Sequence, residues 1–149
     1  MAGAIRITEA TSLALHGLTM LAGTEKAVLS VREMAQEMAA SEAHLAKVLQ
    51  RLVKAGLVRS GRGPTGGFSL AKPKEEINLL DIYEAMEGPL ISGCYLNHTE
   101  CMFAECIFGN MLDQLTKEFR NYLASRDLNS FAGALRCKQK GDSHDTTNA

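Results

Sequence analysis

The sequence predicts a mainly α-helical fold with a small β-hairpin, arranged as a winged helix-turn-helix and followed by a long C-terminal dimerisation helix. Apolar residues recur at three- and four-residue steps in four segments before residue 88, which indicates four amphipathic helices. A glycine-rich stretch, GRGPTGG, separates two short apolar runs and indicates a hairpin. A fifth amphipathic segment lies beyond residue 103, with no further domain to pack on.

Capping signals mark the first two helices. Thr8 is the predicted N-cap and Gly23 the predicted stop of a helix over residues 9–22. Ser30 and Glu33 have the spacing of a capping box, so the segment SVREMAQEMA is predicted to be a short second helix.

A third helix and a hairpin follow. Ser41 can cap a helix that continues to about Ala55 and ends at Gly56. Residues 57–59 and 68–70 are then predicted to pair as two short strands. A hairpin directly after a helix-turn-helix is the arrangement of a wing.

The C-terminal part begins with a fourth helix, LLDIYEAMEG, which Asn78 can cap and which stops at Gly88. From Ala104 to about Leu123 apolar residues keep helical spacing over several turns, and a symmetric partner is the obvious cover for that face. The last residues, KQKGDSHDTTNA, are polar and aperiodic, and we expect them to be disordered.

Charge is unevenly distributed along the chain. The net charge is −1, yet residues 41–74 carry seven Lys and Arg against one acid, Glu42, which leaves nine bases and 16 acids elsewhere. A locally positive surface on an acidic protein is typical of a phosphate-binding face. A solvated helix face is the alternative, but the helix-turn-helix spacing and the basic hairpin occur together here and favour binding to double-stranded DNA.

The second helix of a helix-turn-helix enters the major groove with its N-terminal residues at the base edges, and a wing can reach phosphates or the minor groove. Gly66 and Gly67 would let the wing turn tightly. The candidate DNA-contacting residues are Ser30, Ser41, His44, Lys47, Arg51, Arg59, Arg62, Gly66 and Gly67.

Three of the four cysteines are clustered in sequence. No apolar run is long enough for a membrane span and the N-terminus lacks an apolar signal segment, so we expect a cytoplasmic protein with reduced thiols. Cys94, Cys101 and Cys106 are separated by six and four residues, and three thiolates on one loop can bind soft metals or an iron-sulfur cluster. A structural zinc is less favoured because no C-x-x-C pair is present. Cys137 is taken as a non-ligand.

Several segments together carry a family resemblance: RITEATSLALHGLTMLA, LAKVLQRLVKAGLVRSGRGPTGGFSLAKP, INLLDIYEAMEG and the three cysteines. Over about residues 5–130 the chain resembles the iron-sulfur winged-helix regulators of the IscR and NsrR type, the Rrf family. The resemblance implies a homodimer, a long dimerisation helix, and a [2Fe-2S] or [4Fe-4S] cluster whose state changes DNA affinity.

The resemblance also implies that the three cysteines are cluster ligands, although their spacing differs from the five-and-five spacing of the best-known members. Gly109 stands where the IscR pattern has a histidine ligand, and Ser12 aligns with the acidic ligand of the NsrR pattern. The fourth ligand therefore stays open among Ser12, Glu9, His16 and His98.

The predicted function is transcriptional regulation, as a repressor, under control of the cluster. The predicted units are a DNA-binding domain over residues 1–88, a cluster-binding loop over 89–107, a dimerisation helix with a C-terminal helix over 108–136, and a disordered tail over 137–149. Two alternatives stay open: a regulator of the same fold that uses a thiol switch, zinc or haem, and a small iron-sulfur protein for electron transfer or cluster assembly that does not bind DNA. An enzyme is not expected, because neither a catalytic Ser, His and acid motif nor a carboxylate pair is evident.

Overall fold

The computed structural model describes residues 5–94 and 101–134. Its helices are α1 (Glu9–Gly23), α2 (Val31–Glu37), α3 (Glu42–Lys54), α4 (Leu79–Glu87), α5 (Met111–Ala124) and α6 (Asn129–Ala132), with a short 3-10 turn at Lys74–Glu76. Strands β1 (Val58–Ser60) and β2 (Phe68–Leu70) form an antiparallel pair in which Arg59 lies opposite Ser69. The predicted fold class is confirmed: the described chain is mainly helical, with one two-stranded hairpin after the helix-turn-helix.

The helix starts follow the predicted capping chemistry. The Thr8 hydroxyl accepts a hydrogen bond from the backbone N–H of Thr11 at 3.2 Å, which satisfies one of the free N–H groups at the start of α1. Capping boxes are formed at α2 by Ser30 with Glu33 and at α4 by Asn78 with Asp81. These local bonds position the elements that carry the candidate sites.

The core lies between the inner faces of α1, α3 and α4. Leu18, Leu45, Leu49 and Ile82 are fully buried there. The ring of Tyr83 packs edge-on against Phe119 of α5, with 5.2 Å between the ring centroids. This contact joins α5 to α4.

Segments near both ends of the described chain are hydrogen-bonded to α4 and to the residue that precedes its N-cap. The backbone N–H of Arg6 donates to the Tyr83 hydroxyl at 2.9 Å, and the N–H of Leu128 donates to the carbonyl of Ile77 at 2.9 Å. None of the helices in the described ranges is long and apolar enough to cross a membrane.

The expected start of the last long helix at Ala104 is wrong. Residues 102–110 form bends and turns, and α5 begins only at Met111. Gly109 has a φ of 56°, and its N–H donates to the carbonyl of Cys106 to close a turn. Because a residue in the left-handed region interrupts an α-helix, the helix begins only after it. His98, Cys137 and the predicted disordered tail lie outside the described residues.

Candidate nucleic-acid interface and cysteine loop

The turn between α2 and α3 sets the start of the helix that would enter the DNA groove. Ala39 has a φ of 50°, the left-handed region, and Ala40 N–H then donates to the carbonyl of Ala35 at 2.9 Å. Ser41 follows as N-cap and its hydroxyl accepts from the His44 N–H at 3.3 Å. Ser41, Glu42 and Ala43 are exposed at the start of α3, whereas Leu45 is buried in the core.

Two of the predicted DNA contacts lie on the first two turns of α3, in different surroundings. Lys47 is exposed. His44 is partly exposed, and its Nδ1 lies 3.8 Å from Oε2 of Glu9, a residue in the first turn of α1. Glu9 therefore places a carboxylate next to a predicted DNA contact, a neighbour that the sequence analysis did not foresee.

Arg51 has a structural partner. Its Nη2 donates to the backbone carbonyls of Met86 at 2.7 Å and Ala85 at 3.3 Å, in the last turn of α4. A phosphate contact by Arg51 stays a prediction, but this residue also holds α3 against α4. No local sequence pattern indicates that role, because the partners lie about 35 positions away in the chain.

The wing is closed by backbone hydrogen bonds between glycines. Gly61 N–H donates to the carbonyl of Gly67 at 2.7 Å, and Gly66 N–H donates to that of Gly63 at 2.9 Å. A Cβ on Gly66 would lie 2.7 Å from the Gly61 carbonyl oxygen, and one on Gly67 would lie 2.6 Å from that of Leu29. The two predicted glycines are thus required by close backbone approach, whereas the left-handed turn itself is at Gly63, with a φ of 95°.

The remaining predicted DNA contacts divide into two kinds. Arg59 and Arg62 are exposed on the wing, as expected for phosphate contacts. The Ser30 hydroxyl is already occupied: it accepts from the Glu33 N–H at 3.2 Å and donates to the Glu33 carboxylate at 2.9 Å. Lys26 and Ser30 together lower the pKa of Glu33 to about 2, so this capping carboxylate stays charged near neutral pH.

The three clustered cysteines lie on the segment between α4 and α5, which we call the cysteine segment. Cys94, Cys101 and Cys106 are free and exposed. The segment leaves α4 through Gly88, at a φ of 86°, and its Leu90 side chain is buried in the core. Three exposed thiols are suitable donors for a soft metal or an iron-sulfur cluster.

The candidate fourth ligands on α1 each have a near neighbour. His16 Nδ1 lies 2.7 Å from the carbonyl oxygen of Ser12 and 3.4 Å from its hydroxyl, while Glu9 faces His44. Ser12 and His16 also line an open groove of about 800 Å³, together with Leu79 and Phe131. Within residues 5–94 and 101–134, no three His, Cys, Asp or Glu side chains are grouped closely enough to hold a metal. The donor chemistry therefore fits a cluster, whereas the described residues do not form an assembled site.

One buried carboxylate was missed by the sequence analysis. Glu87 accepts hydrogen bonds from the N–H of Thr8 at 3.3 Å, from the Thr8 hydroxyl at 2.6 Å and from the Thr11 hydroxyl. These bonds join the end of α4, directly before the cysteine segment, to the start of α1. Their partners are 76 to 79 positions apart in the chain, so no local sequence pattern signals them.

An apolar surface continues from the cysteine segment along α5. Met111, Leu115 and Tyr122 occupy one face of that helix and each has about half of its surface exposed. Exposed large apolar side chains on the preceding turns extend this surface: Met102, Phe103, Ile107 and Phe108. Large apolar side chains exposed in this number on one helix face and the turns before it mark an interaction surface in a monomeric chain.

Helix α3, which is the second helix of the helix-turn-helix and hence its recognition helix, and the basic wing that follows it define a winged helix-turn-helix regulator that binds DNA. The Rrf2 family, described as "Iron-dependent Transcriptional regulator", matches residues 7–133. This chain belongs to the Rrf2 family, which confirms the resemblance found in the sequence.

Known proteins agree with that assignment. The chain is 31% identical over 132 residues to Protein aau3 of Rhizobium meliloti strain 1021, covering 76% of this chain and 86% of that protein. Two solved structures have the same fold. CymR (YrzC), the global cysteine regulator of B. subtilis, has a TM-score of 0.72 at 24% identity and covers 89% of this chain and all of its own. IscR of T. potens has a TM-score of 0.72 at 22% identity and covers 93% and 94% of the two chains.

Proposed function

We propose that this regulator is a homodimeric repressor whose operator affinity is set by an iron-sulfur cluster bound through Cys94, Cys101 and Cys106. The observation that carries the proposal is the set of three free, exposed thiols on one segment between α4 and α5. The Rrf2 family, which is described as one of iron-dependent regulators, supports the proposal.

The chain supplies three soft donors within 13 residues, and the fourth position falls to an oxygen or nitrogen donor. Glu9, Ser12 and His16 on α1 and His98 on the cysteine segment are the candidates. When bound, such a cluster supplies redox chemistry and a site that nitric oxide or oxygen can attack. The protein's own contribution is to fix the α4–α5 segment when the thiolates are engaged and to release it when they are not.

Dimerisation follows from the exposed apolar face of α5, which a second copy would cover. A dimer reads two half-sites about one helical turn, roughly 34 Å, apart. Any movement of the cysteine segment that shifts the two α3 helices relative to each other changes the fit to such a site. Operator affinity then depends on the state of the cluster.

The test is a spectrum and a binding measurement on protein purified without oxygen. Cys94→Ala, Cys101→Ala and Cys106→Ala should each abolish absorption between about 320 and 450 nm, whereas Cys137→Ala should retain it. Mössbauer spectra of the parent chain would distinguish [2Fe-2S] from [4Fe-4S]. Equal DNA affinity with and without the cluster would refute the proposed control.

A thiol switch is the second candidate function. Two observations favour it. The three thiols are exposed, and within the described residues no three His, Cys, Asp or Glu side chains lie close enough together to hold a metal ion. A colourless protein whose DNA affinity changes on treatment with peroxide, and is restored by dithiothreitol, would support this alternative.

A further inference from the structure

The last turn of α4 is held on one side by the recognition helix. Met86 and Ala85 present backbone carbonyls there, and Arg51 Nη2 donates to both, at 2.7 and 3.3 Å. Carbonyls in the last turn of a helix lack partners within the helix, and the negative end of the helix dipole favours a cation. Arg51 of α3 therefore caps the C-terminus of α4.

The same turn is held on the other side by the start of the cysteine segment. Glu84 Oε1 accepts from the backbone N–H of Leu90 at 3.1 Å and from Arg120 Nη1 at 3.3 Å. Arg120 Nη1 also donates to the carbonyl of Leu90 at 2.8 Å. Leu90 is therefore fixed by a side chain of α4 and one of α5, only four residues before Cys94.

We propose that Arg51 and Glu84 are positioning residues that couple the cysteine segment to the recognition helix through the last turn of α4. This inference rests on the proposed function in that α3 is the DNA-reading helix and the cysteine segment the sensing one. The bonds of Arg51 and of Leu90 to α4 all involve residues 84–86. A shift of Leu90 that breaks its hydrogen bond to Glu84 therefore displaces the carbonyls to which Arg51 donates. The orientation of α3 then follows the state of the segment.

The test uses full-length, cluster-free chain in which Cys101→Ser, Cys106→Ser and Cys137→Ser leave Cys94 as the single thiol. Cys94 is modified with N-ethylmaleimide, and the Kd is measured for a duplex that the unsubstituted chain selects from a random-sequence pool. We expect the adduct to change Kd by about fivefold or more, because typical couplings between sites are of that size. Adding Arg51→Gln or Glu84→Gln should reduce that change to less than about twofold.

Two further variants separate coupling from a direct phosphate contact. Lys54→Gln removes a positive charge from the same turn of α3 and should leave the effect of the adduct intact. Arg51→Lys keeps the charge that a phosphate contact needs, but its side chain is one atom shorter than the arginine whose Nη2 reaches both carbonyls, so it should lose most of the coupling. If Arg51 instead contacts phosphate, Arg51→Gln should lower the salt dependence of binding by about one phosphate contact and leave the adduct effect unchanged.

The inference is overturned if the adduct has no effect in the single-thiol chain, or if its effect persists in both Arg51→Gln and Glu84→Gln. Visible absorption of the anaerobically purified parent chain tests the cluster separately. Absence of absorption between about 320 and 450 nm would refute control by a cluster. A measured coupling between the cysteine segment and α3 would still support the inference.

Discussion

At the scale of single residues, Glu87 shows how a charged group is retained at the edge of the core. Only 10% of its side chain is exposed. Burial alone would raise the pKa of this carboxyl, but hydrogen bonds from Thr11 and Thr8 and the charge of Arg6 outweigh burial and lower it below the usual 4.5. The ionised form is therefore the one that the fold stabilises.

Glu87→Gln should destabilise the chain by about 1–3 kcal/mol at pH 7, because buried donors lose a charged acceptor. Since the folded pKa is the lower one, the stabilisation is fully present above about pH 4.5 and is lost as the pH falls through the folded value. The variant should therefore be less sensitive to acid than the parent between these limits. Urea denaturation at a series of pH values measures both effects.

Glu25→Gln, on an exposed loop residue, is the matched control and should be close to neutral. Parallel stability curves for the parent and Glu87→Gln across the acidic range would contradict the assignment.

Residue roles were predictable where the partner is local. Thr8, Ser41 and Asn78 were assigned as caps because the groups that they satisfy lie two or three positions further along the chain. The structural partners of Arg51 and Glu87 lie far away in sequence, and only the packed fold brings them together.

At the scale of elements, the wing depends on backbone contact. Gly66→Ala would place a Cβ 2.7 Å and 2.8 Å from the carbonyl oxygens of Gly61 and Gly63, both backbone atoms that cannot swing aside. We expect a loss of about 1–3 kcal/mol in stability. A tenfold or greater loss of DNA affinity should accompany it, because Arg62 sits within the distorted loop.

Gly61→Ala is the matched control on the other arm of the wing. A Cβ there meets its nearest atoms at 3.7 Å, an ordinary contact. Thermal denaturation and DNA titration of the two variants should therefore diverge. Equal behaviour of the two would show that the wing is not packed as described.

Element boundaries were predictable as far as α4, because each helix start combines a capping residue with apolar periodicity. The start of α5 was misplaced by seven residues. Phe108 and Met111 keep helical spacing across the break, so periodicity alone does not show that Gly109 has turned the chain. The basic helix and wing predicted a DNA-binding regulator, and the family confirms that class, whereas the residues that contact DNA stay a prediction. The arrangement of the three thiols depends on tertiary structure that spacing does not encode.

At the scale of the whole molecule, the exposed face of α5 is the interface between the two copies in the proposed homodimer. Leu115→Lys places a charge at the centre of the face formed with Met111 and Tyr122. In the proposed homodimer that charge would be buried without a partner, so we expect a monomer in sedimentation equilibrium. DNA affinity should fall at least tenfold, because one subunit reads only one half-site.

Asn121→Lys adds the same charge to an exposed position on α5 that points about 120° away from Leu115 around the helix axis. This variant should leave the sedimentation mass and the DNA affinity unchanged. A Leu115→Lys chain that still sediments as the parent would exclude α5 as the dimer interface.

The bonds from Glu87 to Thr8 and Thr11 also constrain the order in which the chain can fold as it is synthesised. The two threonines are made 79 and 76 residues before their acceptor. At a synthesis rate of about 5–20 residues per second, roughly 4–16 seconds pass between the translation of the threonines and that of Glu87. The bonds at the start of α1 therefore form only after α4 has been translated, although the rest of α1 can pack on α3 before then.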